Sequence, residues 1–154
     1  WFIEILGTEG ALYINCGEAG LTIHDDRGLC AHTGRCTDNL ASVFKLGTEP
    51  WIDPDGATAD EIIAVIGMCP SGALSYSIDG IEHRDHGGPS TVVFAPGGPY
   101  IVSGGAELDD AELSTRATTD HMALCRCGAS QNKPFCSGKH WEVAFDEDAD
   151  ASQR

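Results

Sequence analysis

The chain has 154 residues, a length that suits one domain or two small ones. Its net charge is −15, from 9 Lys and Arg against 24 Asp and Glu, which argues against nucleic-acid or anionic-membrane partners. No stretch approaches the roughly 20 apolar residues of a membrane span, and no signal peptide opens the chain. We expect a soluble, cytoplasmic protein. Because it starts inside the strand-like WFIEIL, we also expect a fragment or processed product, with residues 1–20 as an N-terminal extension.

The first half predicts a strand, a cysteine-containing loop and a short helix. LTIH at residues 21–24 alternates and is rich in β-branched residues, as strands are. The loop DDRGLCAHTGRC follows it. TDNLASVFKL then predicts a short helix with Thr37 as its N-cap and with three apolar residues at helical spacing: Leu40, Val43 and Phe44.

A second helix is predicted over TADEIIAVIGMCP. Thr58 and Glu61 have the spacing of a capping box at its start, and Pro70 should end it. The i, i+3, i+4, i+7 pattern then gives the helix a buried stripe that carries a cysteine inward at its last turn: Ile62, Val65, Ile66 and Cys69. SGALSYSI at 71–78 predicts a second strand.

The chain has seven cysteines, an odd number with tight spacings. Together with the absence of a signal peptide, this favours metal or cluster ligation over disulfides. One cysteine, Cys16, stands alone in the strand-like ALYINC, and we interpret it as a small buried apolar residue. The other six form one group in each half of the chain: Cys30, Cys36 and Cys69, then Cys125, Cys127 and Cys136.

The first half resembles a divergent single-cluster bacterial ferredoxin domain. Cys30 and Cys36 form a C-x5-C loop, and Cys69 lies far downstream in front of a proline. The WIDPDGA turn and the CPSGAL segment complete the family's pattern, and the resemblance runs from about residue 21 to about residue 80. It implies that these three cysteines bind an iron-sulfur cluster.

One position departs from the usual ferredoxin pattern. Thr33 stands where the C-x2-C-x2-C run has its middle cysteine. The resemblance therefore implies three thiolates, which suit a [3Fe-4S] cluster, or a [4Fe-4S] cluster whose fourth iron takes His32, Cys16 or a non-protein ligand. Gly28 and Gly34 should let backbone N–H groups point at cluster sulfurs. The alternative is a ferredoxin-like fold that has lost its cluster and buries the cysteines as small hydrophobes.

The two halves are separated by SIDGIEHRDHGGPS, residues 77–90, whose Gly, His and charge predict a linker or long turn. We place the first domain at 21–80, a linker at 81–89 and the second domain at 90–145. Residues 146–154 form an acidic tail that we expect to be disordered.

The second half predicts a β-rich domain with a metal-binding loop. TVVFAP, PYIVSGG and HMALCRC predict three strands, and the spacing C-x-C-x8-C-x3-H follows. Around Arg126, an extended backbone puts Cys125 and Cys127 on one face, where both sulfurs can bind one iron. Cys136 and His140 match the i, i+4 face of a helical turn and can bind a second iron. Zinc is the competing interpretation, but this spacing lacks the usual C-x2-4-C bite.

This loop is similar to the CDGSH iron-sulfur domain, the family of mitoNEET, over roughly residues 88–145. Three further positions match the family's pattern: Ser130, Pro134 and Gly138. The resemblance implies a [2Fe-2S] cluster with four ligands: Cys125, Cys127, Cys136 and His140. Ser137 replaces the family's aspartate and Lys139 replaces a small residue, so we expect more positive surroundings and a higher potential.

The ligand His140 predicts sensitivity to acid. A neutral imidazole in place of a thiolate raises the potential of such a cluster, and the imidazole can be protonated. Acid should therefore compete with iron, and the visible absorption of the cluster should decay faster at about pH 5.5 than at about pH 8. Equal decay rates at the two pH values would contradict this expectation.

The four histidines outside the ligand loops are interpreted as surface or structural residues: His24, His83, His86 and His121. His83 and His86 are three residues apart, but this part of the sequence offers no third ligand for a metal ion.

The predicted fold class is α+β: a small ferredoxin-like α+β domain followed by a β-rich CDGSH-type domain. Both resemblances imply movement of electrons or clusters, and no catalytic triad, phosphate loop or dinucleotide fingerprint stands out. We therefore expect electron transfer and no enzyme activity. The acidic surface suits a basic face of a reductase or oxidase.

Two other functions stay open. The first is cluster transfer or storage, or redox and pH sensing, in which an apo-acceptor would take the cluster and His140 should be exposed. The second is an electron-feeding module of a larger enzyme. The resemblance of the second half to the CDGSH domain also leaves open whether the chain forms a homodimer.

Overall fold

The fold consists of two antiparallel sheets with short helices, which confirms the α+β class. The computed structural model describes residues 4–7, 10–14, 20–83, 88–109, 120–146 and 148, and for 4–7 and 10–14 the backbone alone. The first sheet has five strands: β1 (Glu4–Gly7), β2 (Gly10–Ile14), β3 (Leu21–Asp25), β4 (Leu74–Ile78) and β5 (Ile81–His83). The second sheet has three: β6 (Thr91–Phe94), β7 (Tyr100–Ser103) and β8 (His121–Leu124).

The strands of each sheet follow one another in chain order. In the first sheet, β3 pairs with β4 although about fifty residues separate them, with Leu21 opposite Ile78 and Asp25 opposite Leu74. The strands predicted around LTIH, TVVFAP, PYIVSGG and HMALCRC are confirmed. The strand predicted at 71–78 begins only at Leu74, because the preceding residues turn and Gly72 has a φ of +70°.

The first sheet is wider than the predicted domain at 21–80. Within the predicted N-terminal extension, β1 and β2 pair with each other, and β2 pairs with β3. At the other end, β5 occupies the first residues of the predicted linker and pairs with β4 across the Asp79–Gly80 turn. Residues 84–87 of that linker, Cys16, His86 and most of the predicted acidic tail lie outside the described residues.

The first helix begins earlier than predicted. α1 spans Arg35–Asn39 and has Gly34 as its N-cap, so the prediction of Thr37 as N-cap is wrong. Thr37 lies inside the helix, where its hydroxyl donates to the carbonyl oxygen of Gly34 at 3.0 Å. Gly34 has a φ of +75°, which glycine adopts without strain, so it turns the chain from the cysteine loop into the helix.

The second helix, α2 (Ala59–Ile66), starts at the predicted capping box. The Glu61 carboxylate accepts from the backbone N–H of Thr58 at 2.9 Å, and the Thr58 hydroxyl accepts from the backbone N–H of Glu61 at 3.4 Å. The helix ends at Ile66 and not at Pro70, so Cys69 does not lie in its last turn. The predicted stripe is confirmed for the three residues inside the helix: Ile62, Val65 and Ile66.

The first hydrophobic core combines strands β3 and β4, helix α2 and the segment between the helices. Val43 and Phe44 lie beyond α1, yet both are buried, because a bridge pairs Phe44 with Ile52. Ten buried residues form this core: Leu21, Ile23, Val43, Phe44, Ile52, Ile62, Val65, Ile66, Leu74 and Tyr76. Among the described residues, no helix is long and apolar enough to cross a membrane.

A second hydrophobic cluster joins the two halves of the chain. It packs Leu29 and Ala73 of the first half against side chains of the second sheet and its ligand loop: Val102, Met122 and Phe135. Cys30 and Cys69 pack against the edge of this cluster. The two halves therefore share a hydrophobic interface, which the predicted division into two domains did not include.

Candidate metal centres

The first ligand set comprises Cys30, Cys36 and Cys69. Cys30 follows a 3-10 turn, Cys36 lies in the first turn of α1, and Cys69 follows α2. All three line one cavity of about 660 Å³. Three soft thiols that share a cavity fit an iron-sulfur cluster, since such clusters are held by cysteine thiolates. The sequence prediction that these three residues act together agrees with this geometry.

The WIDPDGA turn forms part of the wall of this cavity. The indole N–H of Trp51 donates to Asp25 at 3.1 Å, and the guanidinium of Arg27 lies 4.3 Å from the centre of the Trp51 ring. Burial raises the pKa of Asp25, against the opposing effect of Arg27 at 3.2 Å. Gly56 is required in this turn, because a Cβ there would lie 2.2 Å from the carbonyl oxygen of Ser42.

Two further predicted residues lie beside the first ligand set. Thr33 lines the cavity between Cys30 and Cys36, in the place of the missing cysteine. His32 also borders the cavity, but its side chain packs against Gly138 of the second half. Gly28 does not have the predicted role, because its backbone N–H donates to Asp26 at 3.1 Å.

The second ligand set comprises Cys125, Cys127, Cys136 and His140. Cys125 directly follows strand β8, and its sulfur lies 3.9 Å from that of Cys127. Two sulfurs bound about 2.3 Å from one tetrahedral metal lie roughly 3.8 Å apart, so this pair has the bite for one iron. The Cys136 sulfur lies 3.3 Å from Nδ1 of His140, which gives the second pair a similar bite.

Cys136 and His140 do not share a regular helix, as their spacing had suggested. Helix α3 (Lys139–Glu142) contains His140, but it begins after Cys136. Gly138 is its N-cap, with a φ of +73°, and the Gly138 N–H points at the Cys136 sulfur at 3.5 Å. The tight turn at Gly138 therefore brings the two ligands together.

Other residues of the loop hold this arrangement in place. Arg126, between the first two cysteines, donates to the carbonyl oxygens of Gly98 at 2.9 Å and Ala95 at 2.7 Å. The buried Ser130 hydroxyl donates to the carbonyl oxygen of Phe135 at 2.6 Å and accepts from the backbone N–H of Asn132 at 3.1 Å. Ser130, which the CDGSH pattern includes, thus closes the loop between the two ligand pairs.

The ligands of the second set come in two close pairs, Cys125 with Cys127 and Cys136 with His140. Two pairs of ligands are what a binuclear centre requires, whereas a structural zinc ion takes four ligands around one point. The donor set and its spacing therefore fit an iron-sulfur cluster with two irons.

Comparison with known proteins assigns both halves. A model described as divergent 4Fe-4S mono-cluster matches residues 17–79, and one described as iron-binding zinc finger, CDGSH type, matches residues 97–141. Each half of the chain therefore contains a segment similar to an iron-binding family, the 4Fe-4S type first and the CDGSH type second. The 4Fe-4S match includes the whole first ligand set, and the CDGSH match includes the whole second set. The protein is therefore an iron-sulfur protein.

Curated relatives are similar to part of the chain. Two of them are the Uncharacterized protein YjdI of Escherichia coli strain K12 and the protein of the same name of Escherichia coli O157:H7. Each is 36% identical over 56 residues, which are 36% of this chain and 74% of the relative. The search of solved structures found no match.

In the 4Fe-4S half, burial dominates the electrostatics of the thiols. It raises the pKa of Cys30 to about 11, while the backbone N–H of His32 acts in the opposite direction. Burial also raises the pKa of Cys36, again opposed by a backbone N–H, that of Thr37. The N–H groups that reach these sulfurs therefore belong to His32 and Thr37.

The CDGSH half buries one of its two ligand pairs deeply. Cys136 is 2% exposed and His140 is 4% exposed. Burial raises the pKa of the Cys136 thiol, and the Gly138 N–H opposes that shift. Burial and the nearby charge of His32 lower the pKa of His140, which favours the neutral form that ligates metals.

The positive charge of Lys139, which the sequence placed beside the CDGSH site, is paired with a carboxylate in the structure. Its ammonium contacts the Glu142 carboxylate at 2.7 Å and 2.8 Å. This pairing offsets part of the positive charge that was expected to raise the potential. Ser137, the other departure from the family pattern, places its hydroxyl in a buried position.

The histidines outside the ligand loops have structural contacts where they are described. His24 lies 3.0 Å from the Ser77 hydroxyl, and the His83 ring stacks on Tyr76 with the ring centres 5.0 Å apart. His121 is buried in β8.

Sequence reasoning missed the residues that connect the two sites: Leu29, Ala31, Asn132 and Phe135. Ala31 lies in one buried cluster with Cys136, and the side-chain amide of Asn132 donates to the carbonyl oxygen of Gly28. A usable signal was present in the first ligand loop. Leu29 and Ala31 are apolar residues among polar ones in a turn, which suggests packing against another element.

The raised pKa of Cys30 predicts a pH dependence for the metal-free protein. Its ordinary pKa is 9.0, so between about pH 9 and about pH 11 the folded state keeps a proton that the unfolded chain has released. The free energy of unfolding should therefore fall as pH rises through this window, by about 2 kcal/mol. Urea unfolding of metal-free protein at both pH values measures the change. A Cys30→Ala variant with an equal fall would contradict the assignment to this thiol.

Proposed function

We propose that the protein binds two iron-sulfur clusters and transfers electrons between protein partners. The first ligand set would hold a [3Fe-4S] or [4Fe-4S] cluster, and the second set would hold a [2Fe-2S] cluster. Such clusters would accept and release single electrons. The protein contributes the ligands, the N–H groups that reach their sulfurs, and the walls that limit contact with water.

The contact between the two ligand loops is the main observation behind this proposal. Ala31 follows the ligand Cys30 directly, and it lies in one buried cluster with the ligand Cys136 of the other set. Cys30 and Cys69 also border the hydrophobic cluster that contains Phe135. Two cluster sites held in one packed unit suit the passage of electrons through a single chain.

The burial of His140 favours electron transfer over donation of the cluster. A protein that hands its cluster to an acceptor should expose the histidine, since that is the ligand most easily released on protonation. His140 is only 4% exposed, and Cys136 beside it is 2% exposed. An acceptor protein could not reach this ligand pair without movement of the loop.

The charge of the chain favours a basic partner. With a net charge of −15, the protein should dock on a positive face of a reductase or oxidase, and added salt should weaken the complex. Reduction kinetics with a purified partner at low and high salt would measure this effect, and a rate independent of salt would contradict the electrostatic model. We place the function in the cytoplasm, because the odd number of cysteines and their tight spacings favour cluster ligation over disulfides.

Metal and sulfide analysis with EPR tests the proposal. Anaerobically purified protein should be measured as isolated in the oxidised state and after reduction with dithionite. About five irons, an oxidised signal near about g = 2.01 and a reduced rhombic signal would indicate [3Fe-4S] plus [2Fe-2S]. About six irons without the oxidised signal would indicate [4Fe-4S] plus [2Fe-2S]. About two irons alone would overturn the two-cluster proposal.

A further inference from the structure

The first ligand loop, residues 26–36, forms part of the wall of the second cluster site. Its contacts follow the chain residue by residue around Cys30, which is itself a ligand of the first set. Leu29 shares a buried cluster with Phe135, Ala31 shares one with Cys136, and the side chain of His32 lies against Gly138. The same short loop therefore provides a ligand to one site and a cover to the other.

His32 makes the closest of these approaches to the ligand-bearing turn. A Cβ added to Gly138 would lie 2.8 Å from Cδ2 of His32, 3.0 Å from its Cβ and 3.1 Å from its Cγ. Only a glycine at position 138 leaves room for the imidazole. His32 itself has a φ of +52°, which is unusual for a residue with a side chain.

The turn covered by His32 contains the buried ligand pair. Gly138 lies between Cys136 and His140, and its N–H points at the Cys136 sulfur. A shift of this turn would change both the N–H···S contact and the position of the His140 imidazole in the first turn of α3. A residue that packs on Gly138 therefore acts on both ligands at once.

A second contact fixes the loops beside this point. The side chain of Asn132 donates to the carbonyl oxygen of Gly28, four residues before His32. The backbone N–H of Asn132 is held by Ser130, which in turn donates to Phe135. The contact between the loops is thus connected through hydrogen bonds to the residue that precedes the ligand Cys136.

We propose that His32 is a positioning residue of the second cluster site, which holds the Gly138 turn and through it Cys136 and His140. This inference rests on the proposed function only in that the second site binds a cluster. It assigns His32 to the second cluster, where it acts through Gly138, and not to the fourth iron of the first cluster. The two sites then depend on each other through one loop.

Substitution of His32 in the intact, cluster-loaded protein tests the assignment. His32→Ala should speed the loss of the reduced rhombic EPR signal of the second cluster about tenfold, as expected when a residue that orients ligands is removed. The EPR signal and iron content of the first cluster should stay unchanged. His32→Gln, which refills much of the space, should restore most of the retention. His83→Ala is the matched control, because His83 stacks on Tyr76 outside both ligand loops.

Three results would overturn the proposal. The first is a change confined to the first cluster, which would make His32 its ligand. The second is a decay rate equal to that of His83→Ala. The third is a failure of His32→Gln to restore retention. Iron and sulfide analysis of the unsubstituted protein reports on the two-cluster proposal separately, so failure of one inference is distinguishable from failure of the other.

The reciprocal substitution checks that the effect passes through Gly138. Gly138→Ala should destabilise the second cluster through the collision with His32, and the same change in a His32→Gly background, which removes the His32 Cβ together with its ring, should have a several-fold smaller effect on its decay. Gly80→Ala controls for backbone strain, since Gly80 has a φ of +78° and open space around it. Equal effects of Gly138→Ala in both backgrounds would contradict the coupling.

Discussion

A Cys136→Ala variant should lose the second cluster, and with it about two irons per chain, while it keeps the first cluster. Cys136 is 2% exposed and lies 3.3 Å from the imidazole of His140, so its removal leaves one ligand pair with a single member. The loss should be near complete, because a [2Fe-2S] cluster requires four ligands. Iron and sulfide analysis together with EPR of the reduced protein would measure it.

The matched variant is Cys69→Ala, which removes a ligand of the first set. It should show the opposite pattern, with about two irons left and the reduced rhombic signal retained. If Cys136→Ala keeps the full iron and sulfide content of the unsubstituted protein, the second ligand set is wrong. If both variants lose all iron, the two sites cannot be loaded separately, and the contact between the loops is stronger than the structure indicates.

Local sequence patterns predicted the elements that depend on local physics. Alternation predicted β3, and the capping box placed the start of α2, because side-chain periodicity and cap hydrogen bonds act over a few residues. The C-x-C bite was predicted for the same reason, since one extended residue between two cysteines places both sulfurs on one face. These predictions required no knowledge of the rest of the chain.

The predicted helix boundaries were wrong where a glycine sets the backbone conformation. Thr37 was the better N-cap by residue type, but the left-handed conformation of Gly34 started α1 earlier. In the same way, the spacing of Cys136 and His140 predicted one helical turn, and Gly138 produced the contact through a tight turn instead. Residue preferences therefore indicated the contact but not its geometry.

The junction of the two halves could not be predicted from local patterns. The hydrogen bond from the Asn132 side chain to Gly28 joins residues that are 104 positions apart in the chain. Nothing in the local sequence around either residue indicates this partner. The glycine-rich segment at 77–90 predicted a separation of two domains. The hydrophobic cluster around Phe135 instead joins them, because it buries Leu29 and Ala73 of the first half together with residues of the second half.

A Phe135→Ala variant should lose about 3–5 kcal/mol of unfolding free energy, which is a large share of the stability of an ordinary domain. Phe135 is 5% exposed and packs with residues of both halves, so its truncation leaves a cavity at their interface. It also pairs with Leu124 in a bridge directly before the ligand Cys136. The second cluster should therefore be released at lower urea than in the unsubstituted protein.

Phe94→Ala is the matched control, because it removes the same side chain from a position that is 63% exposed in β6. It should change the free energy of unfolding by less than about 1 kcal/mol, since it buries far less surface than Phe135. Urea unfolding followed by circular dichroism and by visible absorption would compare the variants. If the halves fold as one unit, the first half should also unfold at a lower urea concentration in Phe135→Ala. A midpoint lowered only for the second half would show that the shared cluster adds little to the first.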